Sequence, residues 1–189
     1  IRVGVIGVGY LGQFQAEKYT NIPNVELVGI VDPDQARAAQ IAKKVKAEAF
    51  ADAAKLFGRV DAVSIVVPTA HHHAVAKQFL EQGIHVLLEK PITVALEQAD
   101  ELIDLASKRG LVLQVGHIER FNPAVTAVKA RLKSPRYLQA ERSAPFTFRC
   151  TDVNVVLDLM IHDLDIVADL AGAEPVEVSA AGTSVITRE

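Results

Sequence analysis

The sequence predicts an α/β protein: a doubly wound parallel sheet comes first, and the start of an α+β domain with an open antiparallel sheet follows. Three observations carry this. Short runs rich in Val, Ile and Leu alternate with stretches of helical period, and such nearly continuous apolar strands are those that helices bury on both faces. A glycine-rich fingerprint stands directly after the first run, at the mouth of the first helical stretch. Near residue 120 the alternation gives way to a helix, a strand-like run, a long helix and a second strand-like run.

In chain order, strands are expected at 3–6, 25–31, 62–67, 84–88 and 111–115, with helices between them at 12–19, 34–45, 71–82 and 96–108. Residues 47–50 add a short strand, with a helical turn at 52–57. Gly83 and Gly110 stop the third and fourth helices, because glycine takes the left-handed C-terminal conformation without steric cost. Asn122-Pro123 opens a helix to about residue 132, and proline suits a first turn, where its missing N–H has no helical partner anyway. Residues 136–143 alternate like a strand, 153–170 read as a long helix, and 176–186 as another strand. The expected division is a dinucleotide-binding domain over 1–120 and the start of a substrate and oligomerisation domain over 121–189. Two strands are too few for a stable sheet, so the second domain is expected to be incomplete.

Composition narrows the function. The 189 residues hold 20 basic and 23 acidic side chains, a net charge of −3, and are 50% apolar and 23% charged. That excludes a largely disordered chain, and charge so near balance argues against a nucleic-acid partner or a polybasic membrane surface. Cys150 stands alone, which excludes an internal disulfide and a paired-cysteine metal site. No apolar run approaches the roughly 18 residues of a membrane span. Ile1-Arg2-Val3-Gly4 has no signal-peptide architecture, the missing Met suggests a trimmed chain, and a cytoplasmic setting is the expectation.

The fingerprint is Gly7-Val8-Gly9-Tyr10-Leu11-Gly12. Gly7 permits the tight turn, Gly9 lets the backbone approach a pyrophosphate, and Gly12 lets helix and strand pack closely. The free N–H groups and positive end of that helix suit phosphates. Asp32 closes the second strand, where an acid accepts hydrogen bonds from ribose hydroxyls and repels a 2′-phosphate, so NAD is favoured over NADP.

Glu89-Lys90-Pro91 follows the 84–88 strand, at a carboxyl end of the sheet where ligands of such folds bind. Lys90 there donates to a substrate oxygen, or is a surface lysine in a loop. In the later helix Asn154, Asp158, His162, Asp165 and Asp169 recur at spacings of three and four, and so share a face. Asp158 at i and His162 at i+4 suit a carboxylate that orients an imidazole for proton removal. The rival readings are a solvated acidic stripe and, on thinner grounds, a metal site. His71-His72-His73 is not expected to hold a metal, since neighbours on a helix point about 100° apart. Pro68, Thr69 and one histidine are expected instead at the cofactor crevice. His117, Arg120 and Asn122 either face cofactor or substrate, or serve helix capping and salt bridging.

Together these segments resemble the Gfo/Idh/MocA oxidoreductase family over essentially the whole chain: Gly7–Gly12, Asp32, Pro68-Thr69 with His72, Glu89-Lys90-Pro91, Arg120-Phe121-Asn122-Pro123, and Asp158 with His162 and Asp165. The resemblance implies Lys90, Asp158 and His162 as catalytic residues. It implies Gly7, Gly9, Tyr10, Leu11, Gly12, Asp32, Pro68, Thr69, His72, Glu89, Lys90 and Arg120 as cofactor-binding, with His117, Asn122, Asp158 and His162 toward the substrate. It implies no metal. An ordinary lysine, near pKa 10.4, would need substantial lowering to act as a base, which favours His162 in that role. The runs 116–123 and 156–163 look like the branch that oxidises the 3-hydroxyl of UDP-N-acetylglucosamine to a ketone. Another sugar or cyclitol as substrate, or a non-catalytic NAD-binding regulator, are the alternatives. The family also implies a large C-terminal open sheet, through which homo-oligomers form.

Overall fold

Six parallel strands form one sheet in the computed structural model, which describes residues 1–143, 145 and 153–183. They are β1 (Arg2–Ile6), β2 (Glu26–Val31), β3 (Glu48–Phe50), β4 (Ala62–Ile65), β5 (His85–Leu88) and β6 (Leu113–Val115). Their order across the sheet is β3-β2-β1-β4-β5-β6, the order of a dinucleotide-binding fold whose connections reverse direction between β1 and β4. Helices α1 (Tyr10–Tyr19), α2 (Gln35–Val45), α3 (His72–Glu81) and α4 (Leu96–Arg109) alternate with the strands. All strands being parallel, the loops that leave their carboxyl ends share one edge of the sheet.

The strand periodicity of two explains how both faces are filled. Val5 and Ile30 join Ala16, Ala38, Ile41 and Val45 of α1 and α2 in one apolar cluster. Their neighbours Ile6 and Val31 face the other way, into a cluster with Val63, Ile65, Phe79, Leu80, Val86, Leu88 and Leu102 under α3 and α4. Asp34 caps α2, accepting from Arg37 N at 3.0 Å, and Gly110 closes α4 in the left-handed conformation at φ 64°. At the start of β1, Arg2 bonds Asp61 through its backbone N and its guanidinium, which holds the Asp61 carboxyl down to about 2.

Phe79 anchors the second cluster: it is fully buried and meets Phe57 edge-on at 5.2 Å. Phe79→Ala should therefore cost about 3–5 kcal/mol, read as a lower urea midpoint with unchanged slope. A loss under about 1 kcal/mol would show that α3 does not depend on this contact.

The chain divides into two compact units, Ile1–Gly116 and His117–Glu189. In the second, a 3-10 turn at Ile118–Phe121 leads into α5 (Pro123–Arg131), and later residues form a π-helical segment, Val156–Met160, that runs directly into α6 (Ile161–Ala171). Three expectations are corrected here. Residues 136–143 are not a strand, and neither are 176–183, while 184–186 lie outside the described residues. Alternation of side chains marks two faces, but a strand also needs a neighbour to complete its hydrogen bonds, and the second unit offers none among its described residues. The expected uniform α-helix over 153–170 is also corrected, because its first turn is π-helical and residues 151–152 before it lie outside the described residues.

Candidate functional site

The glycine turn shows which of its residues serve the fold and which serve a ligand. Gly7 has φ 84°, and a Cβ there would lie 2.5 Å from the Val66 carbonyl oxygen. A Cβ on Gly12 would come within 1.9 Å of the Gly7 oxygen. Gly9 differs, since a Cβ there would meet no described atom within 4 Å. Nothing in the protein's own packing requires a glycine at position 9, whereas a pyrophosphate approaching the backbone does. Helix α1 has Gly9 as its N-cap, with no side-chain cap and no acid in its first turn, so its positive end suits an anion. The residues present therefore fit a dinucleotide. Tyr10 and Leu11 are largely exposed beside the turn, with Tyr10 edge-on to Phe14 at 5.5 Å.

Asp32 first holds the turn together. It is 4% exposed, and its Oδ2 accepts from Val8 N at 2.9 Å while Oδ1 accepts from Asp34 N at 2.9 Å. A carboxylate has about four acceptor sites, so capacity remains for ribose hydroxyls. Sequence reasoning passed over Arg37, whose Nη1 lies 3.8 Å from Asp32 Oδ2 and whose Nη2 donates to Asp34 Oδ2 at 3.0 Å. The Arg37 backbone N–H, foremost, holds the Asp34 carboxyl below its usual range.

Glu89 and Lys90 leave the end of β5 as expected, and the Lys90–Pro91 peptide is cis. Glu89 is half-buried, and burial pushes its carboxyl above the usual range against the opposing pull of Lys90, His72 and Gln15. Gln15 of α1 donates from Nε2 to Glu89 Oε1 at 2.5 Å, a contact between residues 74 positions apart. Pro68 is exposed where the chain leaves β4, and Thr69 is buried in the following 3-10 turn. His72 is 1% exposed; its Nδ1 lies 2.8 Å from the Pro91 carbonyl oxygen and its Nε2 2.9 Å from that of Val67. Its ring thus ties the segment after β4 to the one after β5 and turns into the protein. His73 pairs instead with Glu101 at 2.6 Å, so these two neighbouring rings serve different partners. Among the described residues no group of three or more His, Cys, Asp or Glu is placed to hold a metal.

In the second unit the acidic stripe of α6 is paired. Arg120 makes a two-point fork with Asp165, from Nε at 3.0 Å and from Nη2, and this bond raises the guanidinium's pKa. Asp165 Oδ1 also lies 4.0 Å from His117 Nδ1. Lys129 holds Asp169 at 2.7 Å and Arg142 holds Asp163 at 2.8 Å, and each carboxyl is lowered by its partner. Asn122 caps α5, accepting from Ala124 N at 3.0 Å, and Asn154 accepts from Leu157 N at 3.1 Å at the start of the π segment. Asp158 lies inside that segment and His162 in the first turn of α6, both half-buried. The α-helical spacing read between them is therefore interrupted by a wider turn, and π-turns of this kind recur at functional sites.

The parallel sheet, the glycine turn and the acid that follows β2 are together those of a dinucleotide-binding protein. Residues 1–117 match the model of the Gfo/Idh/MocA oxidoreductase family with its NAD-binding Rossmann fold, and the chain belongs to that family. It is 49% identical over 188 residues to the UDP-N-acetylglucosamine 3-dehydrogenase of Acidithiobacillus ferrooxidans, covering 99% of this chain and 59% of that protein. It is 32% identical over 195 residues to the scyllo-inositol 2-dehydrogenase (NAD(+)) of Bacillus subtilis, covering 96% and 57%. A solved structure of the Acidithiobacillus 3-dehydrogenase, GnnA, superposes with a TM-score of 0.91 over 98% of this chain and 61% of that one. GenD2 from gentamicin A biosynthesis, solved in complex with NAD, matches with a TM-score of 0.81 at 26% identity, over 91% and 54%. The chain thus spans less than two thirds of the length of these relatives. Among the described residues no helix is long and apolar enough to cross a membrane.

Proposed function

We propose that this chain forms the cofactor-binding and catalytic part of an NAD-dependent dehydrogenase that oxidises the 3-hydroxyl of UDP-N-acetylglucosamine to a ketone. The observation that carries the reading is the glycine turn held by Asp32, together with 49% identity to a UDP-N-acetylglucosamine 3-dehydrogenase across 99% of the chain. Gly7 to Gly12 and the open start of α1 bind the pyrophosphate, Asp32 the ribose, and Pro68, Thr69 and Glu89 border the nicotinamide side. Bound NAD supplies the hydride acceptor. His162, oriented by Asp158, takes the hydroxyl proton, and Lys90 polarises the substrate oxygen. His117, Arg120 and Asn122 shape the substrate side through the Asp165 fork and the α5 cap. The same reading sets the enzyme in the cytoplasm as a homo-oligomer assembled through a C-terminal sheet.

Incubating the full-length protein with NAD and UDP-N-acetylglucosamine, and following NADH absorbance, tests the reading. No turnover with this sugar but turnover with an inositol would move the substrate to the cyclitols, the class suggested by the 32% identity to a scyllo-inositol dehydrogenase. No turnover across either class would leave a non-catalytic NAD-binding protein.

Cofactor choice gives a separate prediction. The Asp32 carboxylate repels a 2′-phosphate, and Arg37 is held between Asp32 and Asp34. Asp32→Ser should weaken NAD at least about tenfold and tighten NADP by a similar factor, because the repelling carboxylate is gone while Arg37, still paired with Asp34, keeps a positive charge beside the phosphate. Calorimetric titration with each dinucleotide measures both. Unchanged preference would remove Asp32 as the discriminating group.

A further inference from the structure

Three elements enclose the half-buried Glu89 carboxylate. From α1, Gln15 Nε2 donates to Oε1 at 2.5 Å. From its own turn, Lys90 N donates to Oε2 at 3.3 Å. From the end of β6, Gly116 leaves room and no more, since a Cβ there would lie 3.3 Å from the carboxyl carbon and both oxygens. The charged or titratable groups that act on Glu89 are Lys90 and His72. We propose that Gln15 is a positioning residue, whose amide donor holds the Glu89 carboxylate in the place and charge state that the Glu-Lys-Pro turn uses.

The physical case is a balance. Burial disfavours the ionised carboxylate, while a donor aimed at one of its oxygens favours it. The bond spans the fold from the dinucleotide helix to the turn that carries Lys90, so it links the shape of the phosphate site to the charge beside the lysine. A methionine at position 15 has similar bulk and no donor. Without the donor, Glu89 takes up a proton at higher pH, and the turn loses the negative charge next to Lys90.

The test uses the full-length protein labelled with 13C at glutamate carboxyls, with Glu89 assigned through Glu89→Gln. In Gln15→Met the Glu89 titration should move to higher pH than in wild type, and Gln15→Asn, whose amide is one carbon too short, should move it likewise. Gln13→Met on the same helix, whose amide reaches only the Tyr10 carbonyl, should leave it in place. Turnover, which rests on the function proposed above, should fall about tenfold at the acid end in Gln15→Met and recover as pH rises past the new midpoint. A Glu89 titration unmoved in both Gln15 variants overturns the inference. A protein that never reduces NAD with any sugar sinks the proposed function, and the carboxyl titration still decides the role of Gln15.

Discussion

Lys90→Met and His162→Ala should each lower turnover by roughly 10²–10⁴-fold, while NAD affinity stays within about threefold of wild type. The magnitude is that of removing one group that moves or steadies a proton in the transition state. Lys90 leaves the carboxyl end of β5, whereas the glycine turn and Asp32 proposed for the dinucleotide are tied to each other through Val8 N. His162 belongs to α6 of the second unit, whereas the glycine turn and Asp32 belong to the first. Loss in kcat without loss in cofactor affinity therefore separates chemistry from binding. Full activity in either variant would withdraw that residue from the mechanism, and a parallel collapse of NAD affinity would recast it as a binding group.

How the site reads from sequence depends on how local each feature is. The turn from Gly7 to Gly12, Asp32 at the end of β2 and Glu89-Lys90 at the end of β5 were legible, because each is a short motif fixed to the end of an apolar strand. The sheet was legible for the same reason: strands buried on both faces must be apolar, and helix ends at Asp34 and Gly110 obey capping rules. Contacts between distant positions left no such trace. Gln15 meets Glu89 across 74 positions and Arg120 meets Asp165 across 45, and neither pair shares a spacing that a local rule could detect. The π-helical turn around Asp158 was hidden because a single wider turn leaves a helical pattern nearly intact. The run 136–143 misled for the opposite reason, having a strand's alternation with no neighbouring strand among the described residues to pair with.

Alanine at Gly9 and alanine at Gly12 should fail in different ways, although both glycines belong to one fingerprint. At Gly12 the added carbon would stand 1.9 Å from the Gly7 carbonyl oxygen and 2.9 Å from its carbon, and both are backbone atoms of a turn that Asp32 pins through Val8. Neither side can yield by a rotamer change, so α1 must lift away from β1. The cost should reach or exceed the upper end of the ~1–3 kcal/mol typical of overpacking, with NAD affinity falling along with it. At Gly9 the added carbon meets no described atom within 4 Å, and the residue's φ of −64° is one that alanine adopts readily. Stability there should stay within about 0.5 kcal/mol of wild type, while NAD affinity falls at least about tenfold, because the methyl occupies the space a phosphate would use. Urea unfolding without ligand and calorimetric titration with NAD, run on both variants, measure the four quantities. A Gly9→Ala protein that binds NAD like wild type would mean that the pyrophosphate does not lie against this turn. Every role assigned above at the carboxyl edge of the sheet would then have to be placed anew.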